Sequence, residues 1–196
     1  NHPGEIALLC KIAEPDFGYI TNFGKAHLEG FGSLEGVKKA KSELYDFLKQ
    51  KKGLLFLNLD DETQEKQISY NNIFTFSKTK SADVIFENLK ADPFVNLKFN
   101  QHNLQTQLVG NYNSNNVAAA LAIGLYFKVA LQDIKTALNK YVPNNNRSQI
   151  INRNSNKIIL DAYNANPTSM QAALESLQNN SEENKIIILG DMFEMG

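Results

Sequence analysis

The sequence is short of cysteine, of any excess of one charge and of long apolar runs, and each shortage removes a class of protein. Cys10 is the only cysteine among 196 residues, so no intrachain disulfide can form and no thiolate cluster is available to a metal. That fits a reducing compartment. Twenty basic against twenty-one acidic side chains leave a formal net charge of −1, which removes any bulk electrostatic attraction to nucleic acid or to an acidic membrane. The apolar runs break off well short of the roughly 18 residues a membrane span needs, and no signal peptide precedes them. The expectation is a cytoplasmic protein that is not integral to a membrane and has no nucleic-acid partner. The chain begins Asn1-His2-Pro3-Gly4-Glu5 without an initiator methionine and stops at Gly196 directly behind an expected strand. Both ends are therefore expected to be cuts.

What is present is ordinary globular material, 42% hydrophobic and 21% charged, enough for a sizeable core. Residues 16–23 form an apolar, β-branched run ending at Gly24, which predicts a buried strand and a loop. Leu34, Val37, Leu44, Tyr45 and Leu48 recur at helical spacing and predict a helix over 34–48. GLLFLN at 53–58 predicts a strand, and Asp60-Asp61-Glu62 suits the start of a helix. Between Ile73 and Leu108, short alternating stretches (IFTFS, DVIFENL, FVNLKF and LQTQLV) predict the strands of an antiparallel addition. Two helices are expected next, over about 115–127 and 131–140.

Val142-Pro143-Asn144-Asn145-Asn146 then predicts a linker, since proline and clustered asparagines favour turns. This sets expected domains of 1–143 and 144–196. Beyond it, IILDAYNANP predicts a strand, a loop and a helix opening at Pro167, with Met170, Ala173, Leu174 and Leu177 on one face. KIIILGD predicts a last strand. Alternating strands and helices imply an α/β layered fold, whose ligands gather at the carboxyl ends of strands, where Asp161 and Asp191 are expected.

A few side chains sit where chemistry could use them. Lys41 lies in the apolar stripe of its helix, where an unpaired ammonium is costly. Its stem could cover the core while its head reaches water, or it could be a lysine of depressed pKa, placed on charged ligands or converted by carbon dioxide to a metal-binding carbamate. His27, in GKAHLEGFGS just past a strand end, is a metal ligand or a surface loop histidine. Asn113 and Asn116 in GNYNSNN are three apart and share a helical face, where their amides suit the edge of an adenine or serve as helix caps. Arg147 could bridge phosphate or ribose oxygens and Asp161 could accept from ribose hydroxyls, or both are surface charges. No G-x-x-x-x-G-K-[ST] phosphate loop occurs, so the cradle for ATP phosphates is expected outside these residues.

Five stretches in order, NHPGEI, AHLEGFGSLEGVKKAKSELY, GNYNSNN with its alanine-rich helix, LDAYNANPTSM and ILGDMFEMG, together resemble the Mur ligase family. HLEGFGS and YNANP resemble its branch that adds D-alanyl-D-alanine to a peptidoglycan precursor. The resemblance implies an α/β fold made of an incomplete central ATPase domain, mostly parallel with an antiparallel addition, followed by the start of a Rossmann-like C-terminal domain. It implies ATP and Mg2+ as cofactors, and UDP-N-acetylmuramoyl-tripeptide and D-alanyl-D-alanine as substrates. His27 matches the family's magnesium ligand and Lys41 the lysine carbamylated in related ligases. Asn113 and Asn116 match adenine contacts, and Arg147 and Asp161 match residues near phosphate and ribose. Tyr112 departs from a usual histidine, Asn146 from a usual glycine and Ala162 from a common serine. The alternatives are a folate-extending ligase of the same superfamily or a non-catalytic nucleotide-binding α/β module. The piece by itself is expected to be inactive.

Overall fold

The computed structural model describes residues 2–24, 28–66, 69–89 and 94–192. It divides into two compact units, one running to Ile85 and the other starting at Phe86.

The first unit opens with helix α1 (Glu5–Ala13), which packs on the long helix α3. The cap residue of α1, Gly4, has no side chain to offer, and the exposed N–H groups are met from afar: Gly4 N and Ala7 N donate to the two carboxylate oxygens of Glu43, at 2.7 and 2.9 Å. A carboxylate at a helix start satisfies donors and complements the dipole together. After strand β1 (Phe17–Tyr19) and the short helix α2 (Leu28–Phe31) comes α3 (Leu34–Lys51), which starts on Ser33 because its side chain accepts from Gly36 N at 3.0 Å. Lys52, in the left-handed region at φ 59, ends it. Strand β2 (Leu54–Asn58) is buried along its whole length. That is how a strand covered on both faces reads, as a continuous apolar run.

Helix α4 (Glu62–Lys66) follows, started by Asp61, whose Oδ1 accepts from Thr63 N and Gln64 N. Strands β3 (Ile73–Ser77) and β4 (Val84–Ile85) complete a parallel sheet of order β1-β2-β3-β4. Ile20, Phe23, Tyr45, Leu48, Leu55 and Leu57 form its core with α3. Asp60, at the end of β2, ties the sheet's carboxyl edge together: Oδ1 accepts from Ser77 Oγ at 2.6 Å and Thr79 Oγ1 at 2.9 Å, and Oδ2 from Lys78 N at 2.8 Å. Burial pulls its pKa upward, but these hydrogen bonds outweigh it and hold the carboxyl below the usual aspartate value.

A group whose folded pKa is depressed stabilises above its unfolded pKa, and that contribution is lost as pH falls through the folded value. Asp60→Asn turns an amide toward one or more of these donors and is expected to cost about 1–2 kcal/mol at pH 7. The gap to wild type should begin to close below about pH 4, where the unfolded carboxyl protonates, and vanish once the pH has fallen through the folded value. Urea unfolding followed by circular dichroism at both pH values checks it; an equal deficit at the two would remove the linkage.

The second unit begins with an antiparallel sheet, β5 (Glu87–Leu89), β6 (Phe94–Phe99) and β7 (His102–Val109), in that order. Asn100 and Gln101, both at positive φ, make the tight turn that matches the twist of a hairpin. Val95, Leu97, Leu104 and Val109 are buried. A 3-10 turn (Asn111–Asn113) leads into helix α5 (Ser114–Tyr126), and α6 (Leu131–Lys140) packs on α5 and β7. Then come the hairpin β8 (Gln149–Arg153) and β9 (Asn156–Leu160), and helix α7 (Pro167–Gln178), opened by a capping box between Asn166 and Ser169.

Four expectations need correction. The antiparallel addition does not begin at Ile73: IFTFS is β3, parallel to β2, because α4 and its flanking loops return the chain in the same direction. The stretch DVIFENL is not one strand. It divides at buried Phe86 into β4 of one sheet and β5 of the other. The strand expected over 16–23 shrinks to three residues, since only Phe17, Gly18 and Tyr19 find partners in β2. KIIILGD forms no strand, and Ile186 and Ile188 are 87% and 92% exposed. A strand exists through its ladder, and no described strand lies beside this run. The apolar face of α7 is likewise only half covered, with Leu174 exposed.

Candidate functional site

In the first unit, α3 carries Lys41 on the same face as Val37, Tyr45 and Leu48, all of which are buried. The lysine is half-buried and reaches back to the loop after β1, where Nζ donates to the Asn22 carbonyl at 2.7 Å and lies 3.4 Å from Asn22 Oδ1. Among the described residues no carboxylate pairs with it. Burial therefore pushes its pKa below the usual lysine value, and a larger share of the amine is neutral and nucleophilic at a given pH. His27 lies outside the described residues, and no group of three or more His, Cys, Asp or Glu that could hold a metal occurs among those described.

In the second unit, the start of α5 and the hairpin β8–β9 meet. Asn113 is buried, and its amide is engaged on both sides: Nδ2 donates to the Val109 carbonyl at 2.7 Å, while Oδ1 accepts from Asn116 Nδ2 at 3.0 Å. It makes no cap bond to its own helix, so capping does not account for this asparagine. Asn116 is exposed, and its side-chain amide nitrogen is held by the Asn113 oxygen. Asp161 directly follows β9, at a strand's carboxyl end as expected, and its Oδ1 accepts from Ser148 N at 3.1 Å.

Arg147 occupies the tip of the loop that faces it. The residues on either side, Asn146 at φ 58 and Ser148 at φ 50, are both left-handed, at a cost of about 1–3 kcal/mol each for side chains other than glycine. Position 146 thus has a glycine-like backbone, and asparagine is the residue type that tolerates it next best. The loop is held by the Asn146 carbonyl, which accepts from Ala162 N at 2.8 Å. The Arg147 guanidinium lies 3.8 Å from the centre of the exposed Tyr163 ring, a cation–π distance.

The structure thus brings Asn113, Asn116, Arg147 and Asp161 into one unit and carries Lys41 in the other. Sequence reasoning passed over Asn22, Ser148 and Tyr163 as contributors. Tyr163 alone left a signal, as the first residue of YNANP. Asp191 is exposed and follows no strand.

The model of the Mur ligase middle domain matches residues 1–124, and that of the Mur ligase glutamate ligase domain matches 146–196. UDP-N-acetylmuramoyl-tripeptide–D-alanyl-D-alanine ligases of Bacillus subtilis and Buchnera aphidicola are 33% and 35% identical over 98% and 100% of this chain. The chain spans less than half of each relative, 43% and 45%. Among solved structures, MurF from Acinetobacter baumannii aligns with a TM-score of 0.83 at 32% identity, over all of this chain and 44% of its own. MurF from Thermotoga maritima, solved in complex with ADP, aligns at 0.82 and 26% identity, over all of this chain and 46% of its own. With a family model covering well over half its residues, this chain belongs to the Mur ligase family.

Proposed function

We infer that this chain is part of an ATP-dependent, ADP-forming ligase of the cytoplasm that joins D-alanyl-D-alanine to UDP-N-acetylmuramoyl-tripeptide in peptidoglycan synthesis. The observation that carries the reading is the gathering of an exposed Asn116, a loop-tip Arg147 and a strand-end Asp161 in one unit. Those are an amide for a base edge, a cation for phosphate and a carboxylate for ribose hydroxyls. Residues 1–143 belong in this reading to the central ATP-binding domain and 144–196 to the beginning of the C-terminal ligase domain. No described helix is long and apolar enough to cross a membrane.

The reaction is acyl activation. A carboxylate oxygen of the tripeptide attacks the γ-phosphorus of ATP, and ADP leaves. The amine of D-alanyl-D-alanine then attacks the acyl carbon and loses a proton, and inorganic phosphate leaves. Arg147 binds negative charge on the nucleotide, Asp161 orients the ribose, Asn116 reads the adenine edge and Asn113 keeps Asn116 in place. Water kept from the acyl phosphate preserves it for the amine.

Magnesium needs donor atoms with a free lone pair, preferably on oxygen, so a bare Lys41 ammonium, a cation with no lone pair, does not fit it. A Lys41 carbamate does. Its new oxygens are anionic, its remaining N–H matches the Asn22 carbonyl that Nζ already meets, and the lowered pKa favours the neutral amine that takes up carbon dioxide. Lys41 in this form, with His27, would hold the ion, which supplies charge neutralisation on phosphoryl oxygens.

Phosphate release by the full-length protein, given ATP, magnesium and UDP-N-acetylmuramoyl-tripeptide with or without D-alanyl-D-alanine, tests the reading. Release is expected only when both substrates are present. Release indifferent to either one overturns the substrate assignment.

A further inference from the structure

Tyr112 stands where the family usually has histidine, and its phenol is committed to a network of its own. Gly110, at φ 85, lets the Tyr112 ring lie against its backbone, because a β-carbon there would run into the ring. The hydroxyl is thereby aimed at the hairpin, 2.6 Å from Ser148 Oγ and 3.4 Å from Asp161 Oδ2. From the other side, Asn113 Nδ2 reaches the same Ser148 oxygen at 3.4 Å. Ser148 is only 3% exposed. One proton order satisfies every link: the Asn113 amide donates to Ser148, the Ser148 hydroxyl to Tyr112, and the Tyr112 hydroxyl to Asp161. Burial pushes the phenol pKa up further than Ser148 lowers it, and the Asp161 carboxylate adds to the rise. The phenol therefore stays a donor at neutral pH.

This chain of hydroxyls connects parts that the backbone leaves loosely joined. Between Lys140, the end of α6, and Gln149, the start of β8, no residue is helical or in a strand. The side chains assigned to the base and those assigned to sugar and phosphate lie on opposite sides of that stretch. Resting on the nucleotide reading above, we propose that Tyr112 is a positioning residue: its hydroxyl pair with Ser148 locks Arg147 and Asp161 against the Asn113–Asn116 turn, so that ATP meets both halves of its site in one preassembled wall. Apparent affinity scales with the fraction of molecules in the competent arrangement. Releasing the lock therefore lowers ATP affinity without altering the groups that touch ATP.

The test is calorimetric titration of the full-length protein with a non-hydrolysable ATP analogue and magnesium, for wild type, Tyr112→Phe, Ser148→Ala and the double variant. Each single variant is expected to bind about 5- to 10-fold more weakly, the effect of one net hydrogen bond on the population. The double variant should bind no more weakly than the weaker single one, because both substitutions open the same lock. The rate at saturating ATP should stay close to wild type, while the thermal midpoint falls by no more than the few degrees that one lost hydrogen bond accounts for. Wild-type binding by both single variants overturns the lock and leaves the nucleotide reading intact. Losses that multiply in the double variant also overturn it, since the two hydroxyls would then act separately. A wild-type protein that binds no analogue overturns the nucleotide reading and the lock with it.

Discussion

Lys41→Ala in the full-length protein is expected to lower the rate of ligation by about 10^2- to 10^3-fold or more, the size of effect seen when a charge-stabilising group is taken from a reacting centre. The fold should hardly notice. Lys41 is half-buried on α3, its described hydrogen-bond partners are the two Asn22 oxygens, and alanine is a better helix former than lysine. Removing a desolvated amine also relieves the burial that pushes its pKa down. The expected change in stability is within about 1 kcal/mol.

Lys41→Arg separates the two ways in which this lysine could act. Arginine keeps the positive charge and can reach Asn22, but it is protonated throughout the accessible pH range and forms no carbamate. The carbamate reading expects Lys41→Arg to be as inactive as Lys41→Ala. Activity retained by arginine and lost by alanine would make Lys41 a cation toward phosphate instead. Undiminished turnover in Lys41→Ala would sink any part for this residue in the reaction. Steady-state phosphate release together with thermal unfolding of each variant decides among these.

The second large effect is expected from a single methyl group. Gly36 sits in the first turn of α3, and a β-carbon there would run into the backbone carbonyl oxygen of Phe31, at the end of α2. A flexible side chain could swing aside, but a backbone oxygen cannot. Gly36→Ala is expected to destabilise the first unit by about 1–3 kcal/mol or more, as overpacking does. Relief requires α2 and the 31–33 turn to move, and Ser33 then loses its cap bond to Gly36 N. The variant should therefore also lose activity through displacement of α2, whose first residue follows His27 in the sequence, and of the helix that carries Lys41. Urea unfolding and ligation rate, measured together, check this. A stability equal to wild type would mean that the α2–α3 approach is looser than it stands here.

Gly36 also shows what kind of information the sequence carried. HLEGFGSLEGV was legible as a motif, yet its reason is the close passage of two helices, which no periodicity reveals. Asn146 is similar. Its departure from the glycine that the resemblance implies was visible beforehand, and the positive φ shows that the backbone there is one that suits glycine. The long helices α3, α5 and α6 were readable because their apolar residues recur at local helical spacing, and α3 also opens on the capping serine Ser33. The direction of β3 was not readable, because alternation in IFTFS is the same whether its neighbour runs parallel or antiparallel. The hairpin β8–β9 was hidden by a polar, asparagine-rich sequence whose only local mark is the turn at Asn154 and Ser155.

The residues of the candidate site divide in the same way. Lys41 was conspicuous because a charge in an apolar stripe violates a local rule, and Asp161 because it ends a β-branched run. Ser148 violates nothing, and its importance arises only when Tyr112, 36 residues away, comes within 2.6 Å of it. Whether Asn113 faced a ligand or the protein was equally undecidable until its amide was seen between Val109, Ser148 and Asn116.

By itself, then, the sequence determined the α/β class, the main helices, the branch of the family it resembles and the residues with chemistry to offer, since each follows from local pattern or from motif. Only the tertiary structure decided strand direction, which run finds a partner, which asparagine is exposed and which hydroxyls join. These depend on contacts between residues far apart in the chain, whose energies are set by where the backbone brings them and not by their neighbours in sequence.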